Sequence, residues 1–174
     1  AGDVAPALAG ALLAALRLKG ETADEIRGFA TAMRALARKP KIAPGPHVDI
    51  VGTGGDGSLS LNLSTGASLL AAACGLSVVK HGNRSVSSKS GSADVLAALG
   101  LPIPLDETAA GACLQRCGFT FLFAPHYHPA LKHIGPVRQA LGVRTVFNIL
   151  GPLANPVAPP FHVIGAFSDT VALR

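Results

Sequence analysis

Tryptophan is absent from this chain, tyrosine occurs once and cysteine only three times. Three cysteines are an odd number without secreted-scaffold spacing, which excludes a disulfide framework and points to a reduced, cytoplasmic protein. Charge is also scarce: charged residues make up 14% against 49% hydrophobic, so most of the chain must be buried on folding or association. Alanine, leucine and valine supply that apolar content, which favours close-packed helices and parallel strands over a β-sandwich. The longest apolar runs fall well short of a membrane span, and residues 1–20 lack a charged stretch before an apolar one, so neither membrane insertion nor a leader is expected. Acidic residues are outnumbered, ten against fifteen Lys and Arg, leaving a formal charge of +5. That sign fits a polyanionic small substrate or a nucleic acid. The aromatics sit in apolar runs and the basic residues gather in one serine-rich loop, so small-molecule phosphate is the better reading and nucleic acid is not expected.

What is present begins with helical periodicity. Asp3 is placed to cap a first helix whose Leu8, Leu12, Leu13 and Leu16 form one stripe, stopped at Gly20. Thr22 and Glu25 have capping-box spacing for a second helix, with Ile26, Phe29, Met33 and Leu36 inward, ending before Pro40. A linker to Pro46 follows, and the pattern then changes. Strands are expected at His47–Val51, Leu76–Lys80, Phe119–Phe123 and Phe161–Phe167. Of the helices between them, one is capped at Asn62 or Ser64, one spans Ser92–Leu99 and one is capped at Asp106. Residues 129–156 read as helix broken by Pro136, Gly142 and Pro152, and Ser168 opens a last helix. Strand–loop–helix alternation implies right-handed crossovers and a parallel α/β sheet with its loops on one carboxyl edge. The chain starts at Ala1 and stops one turn into a helix at Arg174, so both ends are read as cut.

Two of those loops carry the chemistry. From Lys80 to Asp94 the chain reads KHGNRSVSSKSGSAD, with three cations, five serines and Val86 as its large apolar residue. Neither period 2 nor period 3.6 collects apolar residues there, and hydroxyls, amides and fixed positive charge are the groups that hold phosphate oxygens. Some thirty residues upstream lies GTGGD, Gly52–Asp56. Gly52, Gly54 and Gly57 satisfy the dinucleotide spacing G-x-G-x-x-G. However, Ser58, Ser60 and Asn62 intervene before the helix, and Lys80 stands where a ribose-binding acid is expected. Free amides at the helix start with the Ser64 and Thr65 hydroxyls make an anion seat, while Asp56 suits a sugar hydroxyl or a metal-bound water. Two anion-holding loops imply a substrate with phosphate at both ends. On its own, Arg138 reads as a surface arginine; Cys113 and Cys117 read as buried thiols; His126, His128 and His133 read as turn and packing residues.

These segments resemble the anthranilate phosphoribosyltransferase family of the nucleoside phosphorylase/phosphoribosyltransferase superfamily. The resemblance is carried by DIVGTGGDG at 49–57, NLST at 62–65, VKHGNRSVSSKSGSAD at 79–94, FAPHYHPA at 123–130 and PVRQALGVRTVFNILGPLANP at 136–156. It implies a small helical lobe, residues 1–42 joined by much of 130–156, and an α/β lobe, residues 43–174, incomplete at its C-terminus. It implies transfer of the phosphoribosyl group of phosphoribosyl pyrophosphate to the amine of anthranilate in tryptophan biosynthesis, with Mg²⁺, in a homodimer formed through the helical lobe. The implied phosphoribosyl pyrophosphate site is Gly52, Gly55, Asp56, Ser60, Asn62, Leu63, Ser64, Thr65, Lys80, His81, Gly82, Asn83, Arg84, Ser85, Val86, Ser87, Ser88 and Ser92. Anthranilate falls to Gly52, Asn83 and Arg138, and magnesium to Ser64. No residue is implied as nucleophile or base. Ser60, Leu61 and Cys74 depart from the usual Thr, Phe and Gly, and the family's Asp-Glu magnesium pair belongs beyond Arg174. The rival readings are a pyrimidine nucleoside phosphorylase, whose serine loop differs, a non-catalytic nucleic-acid-binding relative, and a dinucleotide-dependent oxidoreductase.

Overall fold

Four strands among the described residues form one parallel sheet: β1 (His47–Gly52), β2 (Ser77–Gly82), β3 (Phe119–Phe123) and β4 (Phe161–Gly165), in the order β3-β2-β1-β4. The computed structural model describes residues 3–53, 61–84, 90–166 and 168–173. Each strand is linked to the next by helices: α3 (Leu63–Ala73) after β1, then α4 (Ser92–Ala98) and α5 (Glu107–Cys117) after β2. After β3 come α6 (Ala124–Tyr127), α7 (Gly135–Leu141) and α8 (Phe147–Leu150), and α9 (Asp169–Ala172) follows β4. The chain therefore steps from β1 outward to β3 and then returns to the other side of β1. That reversal puts a topological switch point between β1 and β4, where open α/β sheets place their ligand crevice.

Alternation along the central strands explains why they are apolar throughout. Val78 and Phe121 face one side with Val48, Phe119, Ala93 and Leu96; Val79 and Leu122 face the other with Leu105, Ala110, Leu114 and Tyr127. With both faces covered, a parallel strand has no solvent side to mark with polar residues. The edge strand β4 differs: all five of its residues are exposed, Phe161 and Val163 included.

The chain's opening helices, α1 (Pro6–Lys19) and α2 (Ala23–Ala35), do not belong to this sheet core. Their Leu13, Ile26 and Ala30 pack with Val137, Val146 and Leu150 from α7 to α8, so residues more than a hundred positions apart share one apolar cluster. The capping box is realised: the Glu25 N–H donates to Thr22 Oγ1 at 3.3 Å and the Thr22 N–H to Glu25 Oε2 at 2.9 Å. Asp106 caps α5 by accepting from the N–H groups of Thr108 and Ala109.

Several boundaries differ from the sequence expectation, each for a local reason. Asp3 does not cap α1; Ala5 is the N-cap, because Pro6 with its fixed φ starts the helix two residues further on. Leu13 and Leu16 are buried but Leu8 and Leu12 are exposed, since α1 is apolar nearly all round and its spacing alone does not choose a face. Leu36 is exposed rather than inward because α2 ends at Ala35 and Leu36 leaves the stripe as C-cap. Strand β2 begins at Ser77, since Leu76 belongs to the exposed turn closing α3. Pro136 sits in the first turn of α7 instead of breaking it, while Gly142 ends that helix at φ 61°. Cys117 is exposed and Cys113 only half-buried, so the expected pair of buried thiols is not formed.

The linker 36–46 is stitched down by main-chain bonds. The Arg38 N–H donates to the Tyr127 carbonyl at 2.9 Å and the Lys41 N–H to the Glu107 carbonyl at 2.8 Å. Gly111 on α5 lies directly beneath the Lys41 carbonyl, where an added Cβ would collide with backbone. Gly111→Ala is therefore expected to lower unfolding stability by about 1–3 kcal/mol in urea titrations, despite alanine's better helix propensity.

Candidate functional site

Beside the switch point, the carboxyl ends of β1 and β2 open onto a cavity of about 350 Å³. Val51, Gly52 and Thr53 line it from β1, Asn62 and Ser64 from the start of α3, and Lys80 to Arg84 from the end of β2. Ser92 of α4 lines it too, and Arg138 of α7 and Asn148 of α8 complete it from the helical cluster. Residues predicted from two loops and one distant helix are thereby brought to a single hollow. Leu63 is exposed and Thr65 buried, and neither is among the lining residues. Gly55, Asp56 and Ser60, with Ser85, Val86, Ser87 and Ser88, lie outside the described residues.

The floor of the cavity is a buried polar knot. Lys80 is 1% exposed, and its ammonium donates to the Ile50 carbonyl at 2.5 Å and lies 3.5 Å from Ser64 Oγ. Burial pushes its pKa down to about 8, against the raising influence of the Asp49 carboxylate. Asp49, wholly buried, accepts the His81 N–H at Oδ1 (3.3 Å) and the Asn155 side-chain N–H at Oδ2 (2.9 Å). The same Asn155 amide also donates to the Val79 carbonyl, so it ties β1 to β2. Burial raises the Asp49 pKa, and the hydrogen bonds and Lys80 oppose that rise.

His81 is held in one tautomer. Its Nδ1 lies 3.1 Å from the Gly151 carbonyl, which only accepts, so Nδ1 carries the hydrogen. Burial lowers its pKa to about 3, leaving a neutral ring whose Nε2 lone pair is buried without a partner among the described residues. The His128 ring stands edge-on at 5.1 Å, with its own pKa lowered by burial. Gly82 follows because an added Cβ would meet Ser92 Oγ at 2.5 Å and the Phe121 ring at 2.8 Å. Asn83 is fixed twice: its carbonyl accepts from Ser92 Oγ at 3.1 Å, and its side-chain oxygen from the Arg84 N–H at 2.7 Å. Arg84 pairs with Asp94 at 2.7 Å, and Asn62 donates to the Ser90 carbonyl at 3.4 Å, which draws the two loops together.

Arg138 lines the cavity from α7. It is half-buried, its pKa lowered by desolvation, and its guanidinium lies 5.3 Å from the centre of the Phe147 ring. Sequence reasoning from its own segment made it a surface residue. Its burial comes from the packing of α7 on α1 and α2, which no local pattern reveals. His128, Phe147 and Asn148 line the cavity and were not singled out as site residues; two of them stand beside each other in the FN of VFNIL, a clue readable only once Arg138 is placed. A second cavity of about 300 Å³, between α1, α2 and α7, shares Met33, His128, Leu131 and Phe147 with the first but is lined almost wholly by apolar side chains. Anionic groups suit the cationic one.

Among the described residues, no group of three or more His, Cys, Asp or Glu is placed to hold a metal ion. Ser64 Oγ is a hard oxygen at the cavity wall, but no carboxylate among the described residues lines the cavity beside it. The described donors therefore fit Mg²⁺ only as an ion whose other ligands are substrate phosphates and water.

Substituting Asn for Asp49 would set an amide N–H against the Asn155 amide, whose oxygen is already taken by the Val157 N–H. Asp49→Asn is expected to cost about 1–3 kcal/mol in unfolding stability. It should also move the Lys80 titration, followed by NMR, further below 8, because the opposing carboxylate charge is gone.

Two family models match the chain: the helical bundle domain of the glycosyl transferase family over residues 1–37 and the a/b domain of that family over residues 44–174. The anthranilate phosphoribosyltransferase of Rhodopseudomonas palustris strain CGA009 is 55% identical over 167 residues, covering 96% of this chain and 49% of that protein. The Shewanella sp. W3-18-1 enzyme of the same name is 51% identical over 177 residues, covering 99% of this chain and 51% of that one. Among solved structures, anthranilate phosphoribosyltransferase from Thermus thermophilus matches with TM-score 0.92 at 51% identity, over 97% of this chain and 51% of that chain. The Saccharomyces cerevisiae enzyme in complex with PRPP and Mg gives 0.85 at 31% identity, over 97% and 48%. The chain spans about half the length of the relatives it matches.

Proposed function

Because the chain belongs to the glycosyl transferase family, we propose that it carries the substrate-binding half of an anthranilate phosphoribosyltransferase. The reaction joins the phosphoribosyl group of phosphoribosyl pyrophosphate to the amine of anthranilate, releasing pyrophosphate, as a step of tryptophan biosynthesis. One observation carries this reading: a single cavity is lined by phosphate-type groups, Ser64, Lys80 and Arg84, and also by the Arg138 guanidinium, which suits a carboxylate. A donor with anionic groups and an acceptor with a carboxylate fit those two sets of groups.

The chemistry asks little of a general base. An aromatic amine is neutral near pH 7, so its lone pair forms the new N–C bond as the bond from the anomeric carbon to pyrophosphate breaks. The amine's surplus proton then leaves to pyrophosphate or water. The demand falls on charge developing in the leaving group and on orienting the acceptor. Lys80 stabilises pyrophosphate oxygens as they gain charge, and the main-chain amides around Asn62 and Ser64 add donors at the start of α3. Arg138 holds the carboxylate of anthranilate, and Asn83 and Gly52 border the acceptor. Mg²⁺ carried by the diphosphate, with Ser64 as one oxygen contact, would neutralise part of the leaving-group charge. The remaining donor contacts are Gly55, Asp56, Ser60, Leu63 and Thr65 with the 81–88 segment and Ser92.

In this reading residues 1–42 with much of 130–156 form the helical lobe and 43–174 the α/β lobe. The functional state is a homodimer through the helical lobe, located in the cytoplasm and without a nucleic-acid partner. Three free cysteines agree with a reducing compartment, and no helix among the described residues is long and apolar enough to cross a membrane.

Calorimetric titration with phosphoribosyl pyrophosphate and Mg²⁺, then with anthranilate, tests the assignment. Arg138→Ala is expected to weaken anthranilate binding by about tenfold or more while sparing phosphoribosyl pyrophosphate, since a charge-assisted bidentate contact is lost at one end only; equal losses for both ligands would refute it. Phosphoribosyl pyrophosphate affinity should fall as pH rises through about 8, where Lys80 loses its proton. Lys80→Met should remove that pH dependence together with most of the affinity.

A further inference from the structure

Arg138 is unusual among the cations of the cavity in how it is held. Lys80 is fixed by the Ile50 carbonyl and Arg84 by Asp94. The Arg138 guanidinium has neither an ion pair nor a side-chain hydrogen bond among the described residues; what it meets is the face of Phe147. Phe147 is itself braced, its ring edge-on to Phe29 of α2 at 6.3 Å, within the apolar cluster of Leu13, Ile26 and Val137. A long arginine with free rotamers makes a poor clamp, because ordering it costs part of the contact it gains. A protein carboxylate could order it, but would compete with the carboxylate of the ligand. An aromatic face orders the guanidinium plane through its quadrupole and leaves all the N–H donors and the whole charge available.

We propose that Phe147 is the positioning residue of the acceptor end: its ring, braced by Phe29, aims the Arg138 guanidinium into the cavity without neutralising it. The inference rests on the reading of Arg138 as the partner of the anthranilate carboxylate. It makes the packing of α2 part of acceptor recognition, although Phe29 does not line the cavity.

The test compares Phe147→Leu, which keeps an apolar side chain in the cluster but removes the ring face, with Phe147→Tyr, which keeps the face. Anthranilate affinity, measured calorimetrically with phosphoribosyl pyrophosphate and Mg²⁺ present, should fall about five- to tenfold in Phe147→Leu, the size of a partly desolvated cation–π contact. It should stay within about twofold in Phe147→Tyr, with phosphoribosyl pyrophosphate affinity unchanged in both. In an Arg138→Ala background, Phe147→Leu should add no further loss, because the ring acts through the arginine. Without any ligand, the Arg138 Nε–H resonance should lose its ring-current shift in Phe147→Leu and keep it in Phe147→Tyr. The inference is overturned by an unmoved resonance, by unchanged anthranilate affinity in Phe147→Leu alongside a loss in Arg138→Ala, or by parallel loss of both ligands. If Arg138→Ala itself leaves anthranilate binding intact, the acceptor reading fails and this inference with it, whereas the ligand-free resonance still reports whether Phe147 holds the arginine.

Discussion

The rest of the site depends on one buried cation. Lys80 lies within β2, inside the protein rather than at its surface, and its ammonium is held there by the Ile50 carbonyl and Ser64, with the Asp49 charge favouring its protonated form. The same two strands also bury a carboxylate. Asp49 lies on the opposite face of the sheet, the one shared with Val79 and His81, and a buried carboxylate needs donors; these are the His81 N–H and the Asn155 amide. Asn155 comes from the loop leading to β4, so the strand on the far side of the switch point is anchored by the same knot. Burial disfavours the charged form of both groups, and each is held by its own hydrogen bonds, Lys80 by the Ile50 carbonyl and Asp49 by His81 and Asn155. Such an arrangement costs stability at neutral pH. For Lys80 that cost is relieved as pH rises from about 8 toward 10.5, where the unfolded chain still holds a proton that the folded chain has released.

A second constraint acts from the helical side. Arg138 reaches the cavity because Val137, its neighbour on α7, is packed into the cluster built on Leu13 and Ile26. The first helices of the chain therefore set the position of a charge more than a hundred residues later. The sheet and the helical cluster are separate cores, and the cavity is the seam between them. Lys80 lines it from β2, and Arg138 and Asn148 from α7 and α8. Bringing these groups together is thus a consequence of packing two cores, and no single segment encodes it.

This explains what the sequence discloses and what it hides. The run KHGNRS is legible because its polarity follows an apolar strand directly, and local composition cannot otherwise account for it. Thr22 with Glu25 and Asp106 are legible because capping is decided within one turn. Strands β2 and β3 are legible because burial on both faces writes itself as unbroken apolar runs. Asp49 is hidden because an acid at an alternate position of a short strand reads as a solvent-facing residue, although it is wholly buried. The faces of α1 are hidden because almost every position is apolar. Arg138 and Phe147 are hidden because their meaning lies in each other and in Phe29, contacts made across helices that sequence spacing does not relate. Resemblance of motifs carried Arg138 across that gap; it said nothing of the ring beneath it.

Lys80 and Arg138 also differ in how their charge responds to the medium. Lys80 is a compact ammonium whose pKa burial has brought down to about 8, within reach of ordinary conditions, so a phosphate nearby would draw a proton onto it on binding. Arg138 is also partly desolvated, yet a guanidinium starts far enough above neutrality that it stays charged across any working pH. His81 and His128 are lowered by burial as well, and they contribute polarity without charge. The charge on Arg138 is consequently indifferent to pH, whereas the charge on Lys80 is not. A site organised in this way pairs a permanent cation with a titratable one, so a rise in pH can release an anion held by Lys80 while Arg138 keeps its charge.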